Sequence, residues 1–273
     1  MKAVVLLRAV FDASVGGGTY EGPYVLDGSS QAALGLARQW RSSAPGGRVA
    51  GVAIGPPEWE PALRNALVLG CDEVWRGWGD AMGGADVLTV ARAIAEIVPD
   101  GTRLVIGGES SSDHGTGLLP AAVAENLGWP YRGDVTGVVA EGAATAFAVR
   151  REGGRRLHCR TEAAIVVAAA RMPAPAFYPR VADLIAARKT GIPCVSVDGP
   201  KRDAPGIEVI GYGPAKPLTR HLLQPSAGAN PAQRLKQLMS GGVTNRGAKA
   251  MGGAGDEMAR KLVELLVSEG FAT

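Results

Sequence analysis

The sequence predicts a mostly parallel α/β fold with an antiparallel excursion and a C-terminal arm. Short runs rich in Val and Ile recur between longer segments of helical period, the signature of successive βα units. Hydrophobic residues make up 46% of the chain but aromatics only 5%, so the core must be built from Ala, Val, Leu and Ile, as in a sheet covered by Ala-rich helices. After Pro130 the pattern changes to alternation of apolar and polar residues, which belongs to antiparallel strands.

The elements follow in order. "KAVVLLRAV" reads as a strand, "SSQAALGLARQW" as a helix capped by Ser29 or Ser30, and "RVAGVAIG" as a strand. "WEPALRNALVLG" is helical and closed by Gly70, and a short "EVWRGW" strand comes next. In "ADVLTVARAIAEIV" the residues Val87, Val90, Ala91, Ile94, Ile97 and Val98 fall at three- and four-residue steps, giving one apolar helical face. "RLVIGG" is a strand ending in glycines; the polar loop "GGESSSDHGTGLLP" and a further helix follow it. "TGVVAEG", "TAFAVRRE" and "RRLHCRTE" alternate, with a hairpin turn at Glu152 to Gly154. "AAIVVAAA" reads as a fully buried strand, "RVADLIAARKTG" as a helix and "PCVSVD" as a strand. Beyond Asp198 the chain is rich in Pro and Gly until Met258, Leu262, Leu265 and Leu266 mark a closing amphipathic helix. The expected organisation is an α/β domain over residues 1–198 and an arm with its helix over 199–273.

Charge narrows the function classes. A net charge of +3 is too small to argue for a nucleic-acid partner. It is unevenly placed: between Glu208 and Asp256 lie Lys216, Arg220, Arg234, Lys236, Arg246 and Lys249 without an acid, which fits either a solvated arm or an arm laid on a partner subunit. Cys71, Cys159 and Cys194 lack metal-like spacing and read as small core residues in a reducing compartment. Arg8 and Asp12 interrupt the first apolar stretch, and no run approaches the roughly 18 residues of a membrane span, so a cytoplasmic protein without membrane insertion is expected.

The loop from Gly107 to Pro120 is the candidate ligand loop. A nucleophile needs a base and an orienting group held in separate positions, which residues crowded into one loop rarely achieve, and no G-x-S-x-G elbow occurs. Phosphate binding is the stronger reading. Glycines admit a close backbone approach, hydroxyls add donors, and a helix N-terminus follows a strand end. Asp113 is placed to accept from a ribose hydroxyl or to cap the helix, and His114 reads as an exposed loop residue. "SVGGG" (residues 14–18) lacks the ending of a P-loop and reads as a turn.

Several stretches, in the same order, resemble the beta subunit of electron transfer flavoproteins. "MKAVVLLRAVFD" looks like that family's opening strand, with Arg8, Val10 and Asp12; "DGSSQAALGLA" sits where the family has Asn-Pro-x-x-Glu before an Ala-rich helix. "IGPPEWEPALRNALVLGCDE" carries the matching Gly55, Pro56, Leu63, Arg64, Ala66, Gly70 and Asp72. "GGESSSDHGTGLL" resembles the nucleotide loop at Gly108, Asp113 and Thr116, and "FYPRVADLIAARKTGI" a later Pro-Arg-Tyr segment. Departures are Asp27-Gly28 for Asn-Pro, Gly115 for the loop's second Asp, Leu118 for Gln, Pro120 for Gly, Phe177-Tyr178 for Arg-Tyr, and Ala13 and Ser29 where some relatives place aromatic rings.

The resemblance implies a Rossmann-like fold of the adenine-nucleotide alpha-hydrolase type and an electron-carrier subunit with no bond-making site of its own and no metal. It implies a heterodimer with an alpha subunit that holds the working FAD, while this chain binds AMP, or a second FAD. The implied nucleotide contacts are Leu6, Asp27, Gly28, Ser29, Ser30, Ile54, Gly108, Glu109, Ser110, Ser111, Ser112, Asp113, His114, Gly115, Thr116, Gly117, Leu118 and Leu119. Phe177, Tyr178, Val181, Leu184, Arg188 and Lys189 are implied to recognise a flavin dehydrogenase, the downstream acceptor being a quinone reductase or similar protein. A stand-alone adenine-nucleotide-binding regulator of the same fold is the alternative.

Overall fold

The structure is a computed structural model that describes residues 1–12, 23–171, 177–198, 230, 232 and 255–268. The chain divides into two units, Met1–Pro205 and Gly206–Thr273. Ala13, the turn at residues 14–18 and the basic stretch between Glu208 and Asp256, apart from residues 230 and 232, lie outside the described residues.

In the first unit the strands are β1 (Lys2–Leu6), β2 (Ala9–Phe11), β3 (Tyr24–Leu26), β4 (Arg48–Ile54), β5 (Glu73–Trp78), β6 (Thr102–Gly108), β7 (Tyr131–Glu141), β8 (Ala144–Arg150), β9 (Arg156–Thr161), β10 (Ile165–Ala169) and β11 (Cys194–Ser196). The helices are α1 (Gly28–Ser43), α2 (Glu60–Val68), α3 (Val87–Ile97), α4 (Leu119–Leu127) and α5 (Val181–Lys189). Nine strands form one sheet in the order β11-β5-β4-β1-β6-β10-β7-β8-β9, and β2 and β3 form a separate antiparallel pair. From β11 to β7 every pairing is parallel; β7-β8 and β8-β9 are antiparallel, the excursion that alternation after Pro130 predicts.

Helices cover both faces, as a parallel sheet requires. Strand periodicity sends Ala3, Val5 and Leu7 to one apolar cluster, with Leu34, Ala37 and Trp40 of α1 and Leu63 of α2. Val4 and Leu6 enter the other cluster, with Ile94 and Ile97 of α3 and Val123 of α4. The central strands read as continuous apolar runs because both their faces are buried; β10 is buried at all its positions. The result is the mostly parallel α/β fold that composition and period predict, of the Rossmann-like type that the resemblance implies.

Two local expectations are corrected. The cap of α1 is Asp27, whose carboxylate accepts from the Ser29 amide; Ser29 and Ser30 are already inside the helix. The Asp27 carboxylate, two residues ahead of Ser29, takes the cap because it accepts from the free amide in the first turn of the helix. The three cysteines are not all core residues: Cys71 is buried, Cys159 half-buried and Cys194 exposed, because β11 is the sheet's last strand on its side. Burial raises the Cys71 thiol pKa to about 12, so it stays protonated.

In the second unit, Gly255–Ser268 forms α6, with Met258, Leu262, Val263 and Leu265 exposed. No helix among the described residues is long and apolar enough to cross a membrane.

Candidate functional site

Parallel strands end together at the carboxyl edge of the sheet, and there the chain leaves a cavity of about 360 Å³. It is lined by Asp27, Gly28, Ser29, Gln31 and Ala32 at the start of α1, by Glu109, Ser110 and Ser112 after β6, and by Ala169, Ala170 and Arg171 at the end of β10. Registry explains the meeting: Gly108 pairs with Ala169 in adjacent strands, and the Glu109 amide donates to the Ala169 carbonyl at 3.1 Å.

Two carboxylates fasten the loop after β6. Asp27 is 1% exposed, and its Oδ1 accepts from the Ser112 amide at 3.0 Å and from the Ser112 hydroxyl. Its Oδ2 accepts from the Ser29 amide at 2.8 Å and from the Ser29 hydroxyl. Burial alone would push its pKa up, but the bonds from Ser112 and Ser29 prevail and hold it below the usual carboxylate value. Asp113 takes a bidentate ion pair from Arg8: Nε–H donates at 3.0 and 2.7 Å, and Nη2 closes the fork. Its burial is opposed by hydrogen bonds from Arg8, Ser111 and the His114 amide and by the Arg8 charge, which bring its pKa down to about 2. The Arg8 guanidinium also lies 5.6 Å from the centroid of the Trp59 ring.

Backbone clearance is tight where the loop meets α1. A Cβ at Gly108 would lie 2.4 Å from Ser29 Cβ and 2.7 Å from the Ser29 carbonyl group, so only glycine fits. Gly117 has φ +66° and packs over the Glu109 carbonyl.

Of the expected nucleotide contacts, Asp27, Gly28, Ser29, Glu109, Ser110 and Ser112 line this cavity. Ser30 is buried and accepts from the Arg8 amide at 2.9 Å, tying β1 to α1. The side chains of Leu6 and Ile54 are packed into the core under α3 and α4, which leaves their backbone groups for any ligand contact. Asp113 and Ser111 are engaged within the loop, and His114 is exposed. Asp113 does not cap α4; the cap residue is Leu118, which makes no side-chain cap bond, and Pro120 sits in the first turn. Gly115, Thr116 and Gly117 line a neighbouring cavity of about 510 Å³ with Tyr131, Arg132 and Arg151. Leu118 is exposed and Leu119 packs against the α3–α4 cluster. Gln31, Ala32, Ala169, Ala170 and Arg171 line the first cavity without having been singled out; the signal was the end of the "AAIVVAAA" strand, beside β6 in a parallel sheet.

The expected dehydrogenase segment lies apart from this cavity, on and before α5. Tyr178 is 88% and Val181 71% exposed, and Phe177 stacks under the Arg38 guanidinium at 4.6 Å. Leu184 and Arg188 line a groove with Pro61, Arg64, Asn65 and Val68 of α2, while Arg64 Nε–H donates to the Thr190 carbonyl at 3.0 Å. Lys189 is exposed at the end of α5. Among the described residues no group of three or more His, Cys, Asp or Glu could hold a metal ion.

The electron transfer flavoprotein domain matches residues 20–198, which include both sides of the cavity and every strand of the large sheet except β1. The chain belongs to the electron transfer flavoprotein family. Relatives similar to it are the electron transfer flavoprotein subunit beta of Mycobacterium tuberculosis, 38% identical over 100 residues (35% of this chain and 37% of that protein), and the same-named subunit of Mycobacterium leprae, 37% identical over 100 residues with the same shares. The match to the mycobacterial subunits thus spans little more than a third of their length. The Bacillus subtilis subunit beta is 26% identical over 202 residues, 71% of this chain and 77% of that protein. Membership in this family is what the ordered motifs of the sequence led us to expect.

Proposed function

We propose that this chain is the beta subunit of an electron transfer flavoprotein, which pairs with an alpha subunit and holds an adenine nucleotide, AMP or FAD, for structure. The observation that carries the reading is the cavity at the joined ends of β6 and β10, opposite the start of α1. Its volume of about 360 Å³ is at the lower end of the roughly 300–1,000 Å³ of small-molecule sites. The lining also fits: Ser110 offers a hydroxyl, Gly28 leaves open space at the start of α1, and Arg171 supplies a cation at the rim.

The flavin of the heterodimer supplies the redox chemistry. The residues of this chain bind and orient. Asp27 fixes Ser29 and Ser112 on opposite walls of the cavity, and Arg8 fixes Asp113, so the loop is held in one geometry before a ligand arrives. Because Asp27 accepts from both the amides and the hydroxyls of Ser29 and Ser112, it organises the walls, and the oxygens of those two serines remain only as acceptors toward a ligand while Ser110 and Arg171 remain as donors. The exposed Tyr178, Val181 and Ile185 supply an apolar face for the flavin dehydrogenase, and the C-terminal arm with α6 embraces the alpha subunit. On this reading the protein is a cytoplasmic electron carrier and has no catalytic residues.

Co-expression with an FAD-holding alpha subunit from the same genome tests the pairing. A yellow complex with one copy of each chain is the expected product. A colourless monomer or homodimer that senses adenine nucleotides would replace this reading with that of a stand-alone regulator.

A further inference from the structure

The hairpin of β8 and β9 is strongly cationic. Residues 150–160 contain Arg150, Arg151, Arg155, Arg156 and Arg160 against a single acid, Glu152. Arg150 is tied to Asp134 at 2.6 Å, and Arg160 lies 3.5 and 3.2 Å from Glu141 and Glu162. Among the described residues no ion pair engages Arg151, Arg155 or Arg156, and all three are exposed. Arg156 also sits directly opposite Arg150 in the ladder. Like charges in opposed positions cost stability, so folding alone gives no reason for the pair.

A few charges on an edge strand suffice to block edge-to-edge aggregation. That role does not explain the opposed arginines. Guanidinium forks match carboxylates in two-point hydrogen bonding, and they shed water more readily than ammonium groups. Beside the hairpin runs a groove of about 430 Å³, lined among others by Gly137, Glu141, Ala146, Ala148, His158 and Arg160, where small side chains leave room beside the Arg160–Glu141 pair. Among the described residues β9 is the last strand of the sheet on its side, and none of them pairs with its outer edge as a strand.

We propose that the β8–β9 hairpin is a docking surface for the carboxylate-rich face of a partner protein, with Arg151, Arg155 and Arg156 as the pairing groups. Charge complementarity selects that occupant. The hairpin's phenyl ring, Phe147, is buried in the core and not presented for base stacking, and Asp134, Glu141 and Glu162 interrupt the cationic surface that a phosphate backbone would track. A membrane surface would call for an apolar face beneath the charges, and Leu157 is the one large apolar side chain of the hairpin that is exposed. The hairpin and β11, with α5 before it in the chain, lie at opposite ends of the strand order, so a partner at each can be bound at once.

The test measures binding of the full chain to three probes: poly-L-glutamate, a single-stranded oligonucleotide of mixed sequence, and phosphatidylserine vesicles. Poly-L-glutamate is expected to bind most tightly, with affinity that falls as salt rises. The triple variant Arg151→Gln, Arg155→Gln, Arg156→Gln is expected to lose about tenfold or more in that affinity, while Arg48→Gln, on the far side of the sheet's centre, changes it less than about twofold. Circular dichroism checks the fold; should the triple variant not fold, Arg156→Gln alone is expected to weaken binding about threefold while raising the melting temperature, because it removes the opposed pair. Triple-variant binding within about twofold of the parent, or tighter binding of oligonucleotide or vesicles than of poly-L-glutamate, would overturn the proposal.

Discussion

Arg8, just beyond the first strand, clasps the carboxylate of Asp113 from a loop 105 residues later, so the loop after β6 is fastened to the sheet. The pair is partly shielded, with side-chain exposures of 24% and 31%, and the same guanidinium faces Trp59. Asp27 makes the second fastening, to Ser112.

Replacing Asp113 with Asn should therefore loosen the loop more than it harms the fold. The expected loss is about 1 kcal/mol at neutral pH, with faster proteolysis between Ser110 and Leu118. Because the folded carboxyl is held at about 2 against an ordinary 3.8, its contribution is fully present above 3.8 and lost as pH falls through 2. Denaturant titrations of the parent and D113N should converge over that window; a constant difference down to pH 2 would assign the loss to something other than the charge.

Ser112→Ala removes one of four donors to a buried carboxylate and leaves the rest of Asp27's shell intact. The expected cost is about 1–2 kcal/mol, together with an upward shift of the Asp27 carboxyl resonance in an NMR titration. An unchanged titration would show that the hydroxyl bond is not formed.

Gly108→Ala drives a methyl group into the backbone at Ser29. We expect a loss of about 1–3 kcal/mol in thermal unfolding and a nucleotide content well below that of the parent complex. Normal content would mean that the start of α1 yields easily and does not shape the cavity.

Exposed residues ahead of and on α5 should behave in the opposite way. Tyr178→Ala and Val181→Asp alter side chains that the fold hardly contacts, so stability should stay within about 0.5 kcal/mol of the parent. Electron transfer from the dehydrogenase, followed with a dye acceptor, should fall sharply. Intact transfer would place the dehydrogenase elsewhere on the subunit.

Most of the sheet was legible because burial on two faces forces continuous apolar runs such as "AAIVVAAA", while one solvated face forces alternation such as "TAFAVRRE". The position of the candidate loop was legible because glycines end β6 where a parallel sheet exposes its carboxyl edge. What escaped depends on partners distant in sequence. Nothing near Arg8 announces Asp113, and nothing in "EVWRGW" announces that Arg76 is 5% exposed and paired with Glu60 at 3.0 Å. Arg171 reached the cavity only through the pairing of β10 with β6. The Asp27 cap was hidden by two serines that fit a cap equally well and lie one turn too deep.

Mass spectrometry of the small molecules released on denaturing the purified complex of this chain with its alpha subunit tests the central claim most directly. One adenine nucleotide per beta chain, AMP or FAD, beyond the FAD of the alpha subunit is the expected result, reduced in a preparation carrying Gly108→Ala. A complex that releases the alpha subunit's FAD and nothing else would contradict a nucleotide site between α1, β6 and β10.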